Sequence, residues 1–240
     1  MKNIVLRTLS IFLFSIGVLA GLAFFALATW ADVESIFYGF NRYGKEMTSS
    51  MHCPILITRT ESATISAVFK NSADQTVSPT VRFQASNIGV FRTETTRLSL
   101  EPGQREKIYW TVSTEDMVLD RFIFAKIFTF AYYPIKDVEQ TCGILVLDLP
   151  GFTGMQVTWF SIAVSLAGLV AGITLWSAAN RPLKYRSLEA MRAMFTLAAT
   201  VILGFISAFL AWWLLGILLS VLALILAGVI IGSFVTAEKS

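Results

Sequence analysis

The sequence predicts a membrane protein with four transmembrane α-helices and an extracytoplasmic antiparallel β-sandwich inserted between helix 1 and helix 2. Three observations carry this. Of the 240 residues, 55% are hydrophobic and only 15% charged, against about a quarter charged in a soluble domain. The stretches Thr8–Ala31, Met155–Ala179 and Met194–Val235 hold no Asp, Glu, Lys, Arg or His. Residues 32–154, in contrast, are polar, charged and rich in alternating β-formers, and they are numerous enough for one small domain with its own core.

About 20 apolar residues cross a bilayer core roughly 30 Å thick. The first two stretches are therefore one helix each, 1–31 as a signal anchor and 155–179 as helix 2. The third would be roughly 60 Å long as one helix at about 1.5 Å per residue, so it reads as a hairpin of 194–212 and 214–236. The turn is expected near Ala211–Gly216, where Trp212 and Trp213 suit the headgroup level and Gly216 suits a tight turn. A cleaved signal peptide is the alternative for the first span, since Ala26-Leu27-Ala28 resembles a cleavage site. Its apolar stretch exceeds the usual signal core of about 7–15 residues, so retention is expected.

Charge sets the orientation. Residues 32–154 contain 12 of the 19 basic and 14 of the 16 acidic residues, leaving 7 basic and 2 acidic elsewhere. Lys2 and Arg7 precede span one, and Arg181, Lys184, Arg186 and Arg192 lie in the 180–193 loop. The excess of short-loop Lys and Arg places the N-terminus, this loop and the C-terminus in the cytoplasm and residues 32–154 outside. No N-x-S/T acceptor occurs in 32–154, which agrees with a bacterial inner-membrane protein. Anionic lipid is the expected partner of the basic loop, and Pro182 and Ser187 fit a helix end followed by an N-cap. Nucleic acid is not an expected partner of so short a loop.

The external region divides into a connecting segment, 32–52, and the sandwich, 53–150. Ala63, Ile65, Ala67 and Phe69 alternate with Thr64, Ser66 and Lys70, then "NSADQ" at 71–75 turns the chain. Val81, Phe83 and Ala85 follow, then Leu98 and Leu100 before the Pro102-Gly103 turn, then Ile108, Trp110 and Val112. With 53–59, 121–135 and 142–149 the pattern gives about seven strands.

His52 is the only histidine, and Cys53 and Cys142 are the only cysteines. A metal site needs three or four ligands at short spacing, and none of that spacing is present. Neighbours on an extended chain point apart, which disfavours Cys–His catalysis within the pair. A disulfide between Cys53 and Cys142 is the simplest reading in an oxidising compartment, with free thiols and a metal or catalytic role as weaker alternatives. In the chain-entropy model such a loop contributes about 4–5 kcal/mol as an upper figure. His52 is expected in a solvated loop.

The stretch "SATISAVFKNSADQTVSPTVRFQAS…LSLEPGQREKIYWTVS", over roughly 62–113, resembles bacterial immunoglobulin-like surface modules of the CARDB type. The shared features are an alternating first strand, an Asn/Asp turn, and L-x-P-G-Q before another alternating strand. The resemblance implies an immunoglobulin-like binding or spacer module whose first and last strands pair in parallel. A Cys53–Cys142 bond would suit that pairing.

Phe122, Phe124, Phe128 and Phe130 alternate with Ile123, Ala125, Ile127 and Ala131, so this strand is apolar on both faces. Either the 32–52 segment covers its outer face, or the phenylalanines form a docking surface for another protein. The aromatic cluster "SIFYGFNRY" at 35–43 reads as an interfacial anchor. Within the spans, Gly17/Gly21, Gly168/Gly172 and Gly228/Gly232 form three G-x-x-x-G pairs, which Ser161 and Ser165 extend in helix 2. Such faces let helices approach closely in lipid, within one bundle or against another subunit.

No ionisable residue lies in the span cores, which argues against transporter, proton-relay and intramembrane haem or protease readings. The expected protein is a non-catalytic membrane subunit, without cofactor or metal, that scaffolds or stabilises a larger envelope complex. Its expected partners are the bilayer, other membrane subunits or itself. The alternative is an anchored adhesion or sensor protein whose sandwich binds an extracellular ligand, and an uncharacterised transporter or lipid enzyme ranks third.

Overall fold

The computed structural model describes residues 2–38, 50–130, 138–182 and 185–237. Among these residues there are four α-helices, α1 (Lys2–Phe37), α2 (Gly154–Ala179), α3 (Tyr185–Phe209) and α4 (Trp213–Ala237), with a β region between α1 and α2. Ile4–Phe37, Gly154–Ala179 and Ser187–Phe209 are each long and apolar enough to cross a membrane; Trp213–Val229 is a shorter apolar stretch. The chain forms two compact units, one of residues 1–29 with 158–240 and one of residues 30–157.

Several boundaries differ from the sequence reading. The first helix does not stop at 31 but runs to Phe37, through part of the expected connecting segment 32–52. The rest of the "SIFYGFNRY" cluster, residues 39–43, lies outside the described residues. The third helix begins at Tyr185, so the basic segment expected as a loop over 180–193 is largely helical, and Ser187 lies inside the helix rather than at its cap. Leu188, Glu189, Ala190, Met191 and Arg192 are good helix formers, and charge alone does not end a helix.

Among the described residues, eight strands build the β unit: β1 (Ser50–His52), β2 (Leu56–Thr58), β3 (Ala63–Lys70), β4 (Thr80–Ala85), β5 (Arg92–Arg97), β6 (Arg105–Val112), β7 (Phe122–Phe130) and β8 (Val138–Leu147). They form a three-stranded sheet, β1-β3-β6, and a five-stranded sheet, β2-β8-β7-β4-β5. Every pairing is antiparallel except β2 with β8, which runs parallel with Leu56 opposite Leu145. The alternating residues Ile65, Phe69, Val81, Phe83, Trp110, Ile123, Ile127 and Ile144 share one core between the sheets. At its centre Phe83 stacks on Trp110 with ring centroids 5.0 Å apart.

His52 is not in a loop: it is an exposed residue of β1, opposite Ser66. The strand expected around Leu98 and Leu100 is instead the polar edge strand β5, which precedes them. An edge strand with few core contacts shows little apolar alternation, so "RTETTR" carries no strong strand signal. Leu98 and Leu100 are buried all the same, and Leu100 bridges to Val77.

In the helical unit, α1 and α2 meet at their backbones. A Cβ on Gly17 would lie 2.6 Å from the Leu169 nitrogen and 2.7 Å from the Ser165 carbonyl; one on Gly168 would lie 2.7 Å from the Leu13 carbonyl. Two buried hydroxyls bridge this seam, Ser10 donating to the Gly172 carbonyl at 2.7 Å and Ser165 to the Gly17 carbonyl at 2.7 Å. Gly21 faces Val201 and Phe205 of α3, and Gly204 faces the Phe25 ring. Gly216 is not the turn residue. It sits within α4 against Thr29, and the α3–α4 turn is made by Ala211 at φ 50°.

Candidate functional site

The candidate site is the five-stranded sheet with the segments laid against it, which holds the disulfide and a buried carboxylate contact. Between β1 and β2 the chain passes from one sheet to the other, and Cys53 lies at this crossing. Its sulfur is bonded to that of Cys142 in β8, with Cα atoms 6.6 Å apart. Cys142 is in the middle of β8, four residues after the strand begins, rather than at its start.

Next to it, Gly143 lies under the end of α1. A side chain there would strike the Ala31 carbonyl and would lie 2.8 Å from the Asp32 nitrogen. The Gly143 N–H donates to the Asp32 carboxylate at 3.2 Å. β2 pairs with β8 only from Leu145 onward, so the carboxylate takes a backbone donor that the short strand does not reach. Ala31, Leu56, Phe122, Phe124 and Leu145 form a second buried cluster on this outer face. Trp30 lies over Phe122 with centroids 6.4 Å apart, and Tyr38 over Phe124 at 5.1 Å.

Of the two readings of these phenylalanines, covering by the segment after span one holds for two of them, so the candidate docking surface does not extend over all four. Phe122 and Phe124 are buried, at 3% and 0% exposure, because the end of α1 covers them. Phe128 is half-buried and Phe130 exposed; the two rings meet edge to face, and the Arg82 guanidinium lies 4.8 Å above Phe130. Between the two pairs, Lys126 forms an ion pair with Glu139. Of the expected packing glycines, Gly17, Gly21, Gly168 and Gly172 all lie at helix contacts. Gly228 does not: among the described residues, nothing lies within 4 Å of a Cβ there. The surroundings of Gly232 fall outside the described residues.

Glu61 was not singled out by the sequence reading. Its carboxylate accepts from the Thr58 nitrogen at 3.0 Å, the Thr58 hydroxyl at 2.7 Å and the Gly154 nitrogen. Burial pushes the Glu61 carboxyl up, but these hydrogen bonds outweigh it and hold the group below the ordinary glutamate value. Thr153 and Gln156 form a capping box at the same helix start. A carboxylate suits the first turn of a helix, whose free N–H groups carry partial positive charge. A Cβ on Gly154 would strike the Leu56 carbonyl, so only glycine lets this turn lie against β2. The short signals "TRTE" and "TGMQ" gave no hint of their pairing because they are 93 residues apart.

The β4–β5 connection is pinned at its base. Ser86 exchanges backbone and side-chain hydrogen bonds with Phe124 and donates its hydroxyl to the Asp116 carbonyl at 2.7 Å. Arg92 closes the other side through the Asp116 carboxylate at 3.0 Å and the Thr111 carbonyl at 2.6 Å. Asp116 is itself held by the Ser113 N–H in a capped 3-10 turn. These contacts are structural ties. Among the described residues, no group of three or more His, Cys, Asp or Glu side chains is arranged to hold a metal ion.

No family model and no curated protein matches the chain. Among solved structures it is similar to a CARDB domain from Pyrococcus furiosus, solved with two metal ions, at 13% identity over 45% of this chain and 96% of that one, TM-score 0.33. It is also similar to a β-glucosidase from Listeria innocua, at 14% identity over 43% of this chain and 17% of that one, TM-score 0.32. A DNA glycosylase from Pseudomonas fluorescens follows at 12% identity over 42% and 30%, TM-score 0.30. The chain thus spans 17% of the length of the glucosidase. A CARDB domain is among the structures that this chain resembles weakly, and no family covers the whole chain.

Proposed function

We propose that this protein is a non-catalytic integral membrane subunit whose helices sit in the bilayer and whose β unit lies outside, where it scaffolds or stabilises a larger envelope complex. The observation that carries the reading is the combination of apolar helices with a disulfide-tied two-sheet unit. Helices of this length and composition belong in lipid, and a disulfide belongs in an oxidising compartment. The outward helix faces agree, since Leu218, Val221, Leu222, Leu224 and Ile225 of α4 are all exposed apolar side chains. Lipid is their minimal partner, and a neighbouring subunit is the partner proposed for some of them. The basic residues around α2 and α3 then face the cytoplasm and its anionic lipids.

The test is gentle solubilisation of the tagged protein at native expression, followed by native mass measurement and identification of co-purifying chains. A stoichiometric partner supports the subunit reading. Recovery of a monomer or homo-oligomer alone contradicts it and favours an anchored adhesion or sensor protein, whose β unit would then be screened for a ligand.

A further inference from the structure

We propose that one end of the β unit is a membrane-contacting rim, whose apolar loop tips rest in the headgroup layer of the outer leaflet. The proposal rests on the reading of the helices as membrane spans.

Strand register defines the rim. β4 ends at Ala85 opposite Ala125, β7 begins at Phe122 opposite Leu145, and β8 ends at Leu147 opposite Thr58, the last residue of β2. The β4–β5, β6–β7 and β2–β3 connections and the segment after β8 therefore all emerge at the same end. Side-chain contacts across them agree: Arg59 donates to the Asp120 carbonyl at 3.3 Å and lies 3.8 Å from the Asp148 carboxylate. This is also the end from which the chain enters α2, five residues after Leu149.

The tips at this end are apolar and exposed. Ile88 is 86% exposed, Val90 78%, Leu119 57%, Leu149 40% and Phe152 59%. Their presentation is built rather than incidental. The Ser86 and Arg92 ties to Asp116 hold the base of the 86–91 loop, and Gly89 turns its tip at φ 93°. Leu119 is held outward from a left-handed backbone at φ 53°, a conformation that side chains of its size rarely adopt.

The opposite end of the unit provides an internal contrast among the described residues. Its described connections, β3–β4 and β5–β6, carry Ser72, Asp74, Gln75, Glu101 and Gln104, all exposed and polar. Solvent-facing loops are ordinarily of that kind, and a group of exposed apolar tips marks a contact. Phe152 is two residues from the start of α2, so the chain itself holds the rim near the point where an apolar helix enters lipid. Arg59, Asp120 and Asp148 among the tips limit the depth to the headgroup level, where charged groups remain hydrated.

The chain has no free cysteine among the described residues and two in all, both in the disulfide, so single cysteines can be labelled cleanly. Full-length Ile88→Cys, Val90→Cys, Asp74→Cys and Leu166→Cys proteins are labelled with a polarity-sensitive fluorophore. They are reconstituted in phosphatidylethanolamine–phosphatidylglycerol vesicles with or without spin-labelled lipid, labelled near the headgroup for positions 74, 88 and 90 and deep in the acyl chain for position 166. The expected result is a blue-shifted emission that the spin label quenches at positions 88, 90 and 166, with neither change at 74. Quenching at 166 but not at 88 or 90 overturns the rim and leaves the spans intact. Loss of quenching at 166 overturns the membrane reading, and the rim with it. Equal quenching at 74 and 88 overturns the rim as a distinct surface. Labels at 88 and 90 shielded from an aqueous quencher yet untouched by lipid would show a protein in its place, which also overturns it.

Discussion

The α1–α2 seam and the β core bury their contacts by opposite means. Where α1 meets α2, side chains are removed: Gly17 and Gly168 bring two backbones together, and Ser10 and Ser165 hydroxyls close on carbonyls of the other helix. In the β unit large side chains fill the space, with Phe69, Phe83 and Ile123 at 1% exposure or less and Trp110 at 4% between the sheets. Lipid tails are as apolar as leucine, so helices in a bilayer gain little by burying leucines against each other; close approach and interhelical hydrogen bonds must supply the attraction. In water the burial of apolar area is itself the driving force. The contrast therefore agrees with two solvents around one chain. The exception within the strands is the seat of Ala31 on Gly143, where the β unit too uses a glycine to admit a helix backbone, as Gly154 does where α2 starts against Leu56.

The largest expected effect sharpens the β side of the comparison. Replacing both Cys53 and Cys142 with serine removes a cross-link between residues 89 apart in sequence and should cost about 2–5 kcal/mol. Denaturant unfolding, followed by pulsed proteolysis of the β unit, reads the loss. An unchanged midpoint would mean that the crossing at Cys53 is held by packing alone.

The next variant strikes the helical side. Gly17→Leu forces a side chain into the Leu169 and Ser165 backbone, and overpacking of this kind costs about 1–3 kcal/mol or more. Gly228→Leu, where nothing lies within 4 Å, should leave the isolated chain as stable as before. Detergent unfolding of the two variants side by side gives the answer, and equal losses would refute the assigned helix contacts. Gly143→Ala tests the exception. Its methyl group meets the Ala31 carbonyl, so a loss within the same range of about 1–3 kcal/mol is expected, together with faster proteolysis near residue 38.

The smallest effect depends on pH. Glu61 is held below its ordinary value in the folded chain. Its stabilising contribution is therefore complete above the unfolded glutamate pKa of about 4.3 and is lost as the pH falls through the lowered native value. Wild type should lose stability over that acid range more steeply than Glu61→Gln, which should be less stable at neutral pH. Parallel pH profiles would remove the carboxylate from the Thr58–Gly154 tie.

Much of the architecture was legible because it is periodic. Alternation at 63–70 and 105–112 marked strands that pair residue by residue, Ala63 opposite Val112 through Lys70 opposite Arg105. The uncharged stretches likewise marked helices. What stayed hidden depended on residues distant in sequence. Gly143 looked like one member of an apolar strand, although a glycine inside a strand is the usual sign of a close backbone neighbour. Glu61 is one carboxylate among 16 acidic residues, and only folding brings the Gly154 N–H to it. Phe122 and Phe124 showed that both faces of β7 are apolar, but not that the helix from span one continues far enough to cover them. Gly228 had the same spacing signal as Gly17, and spacing does not say whether a neighbour is present.

The most direct test of the central claim is protease access to the β unit in sealed spheroplasts that carry the protein with a cytoplasm-facing C-terminal tag. The account predicts cleavage within residues 38–153 from outside, with the tag and both flanking helical regions protected until the membrane is opened. Full protection of the β unit, or removal of the tag by external protease, would contradict it.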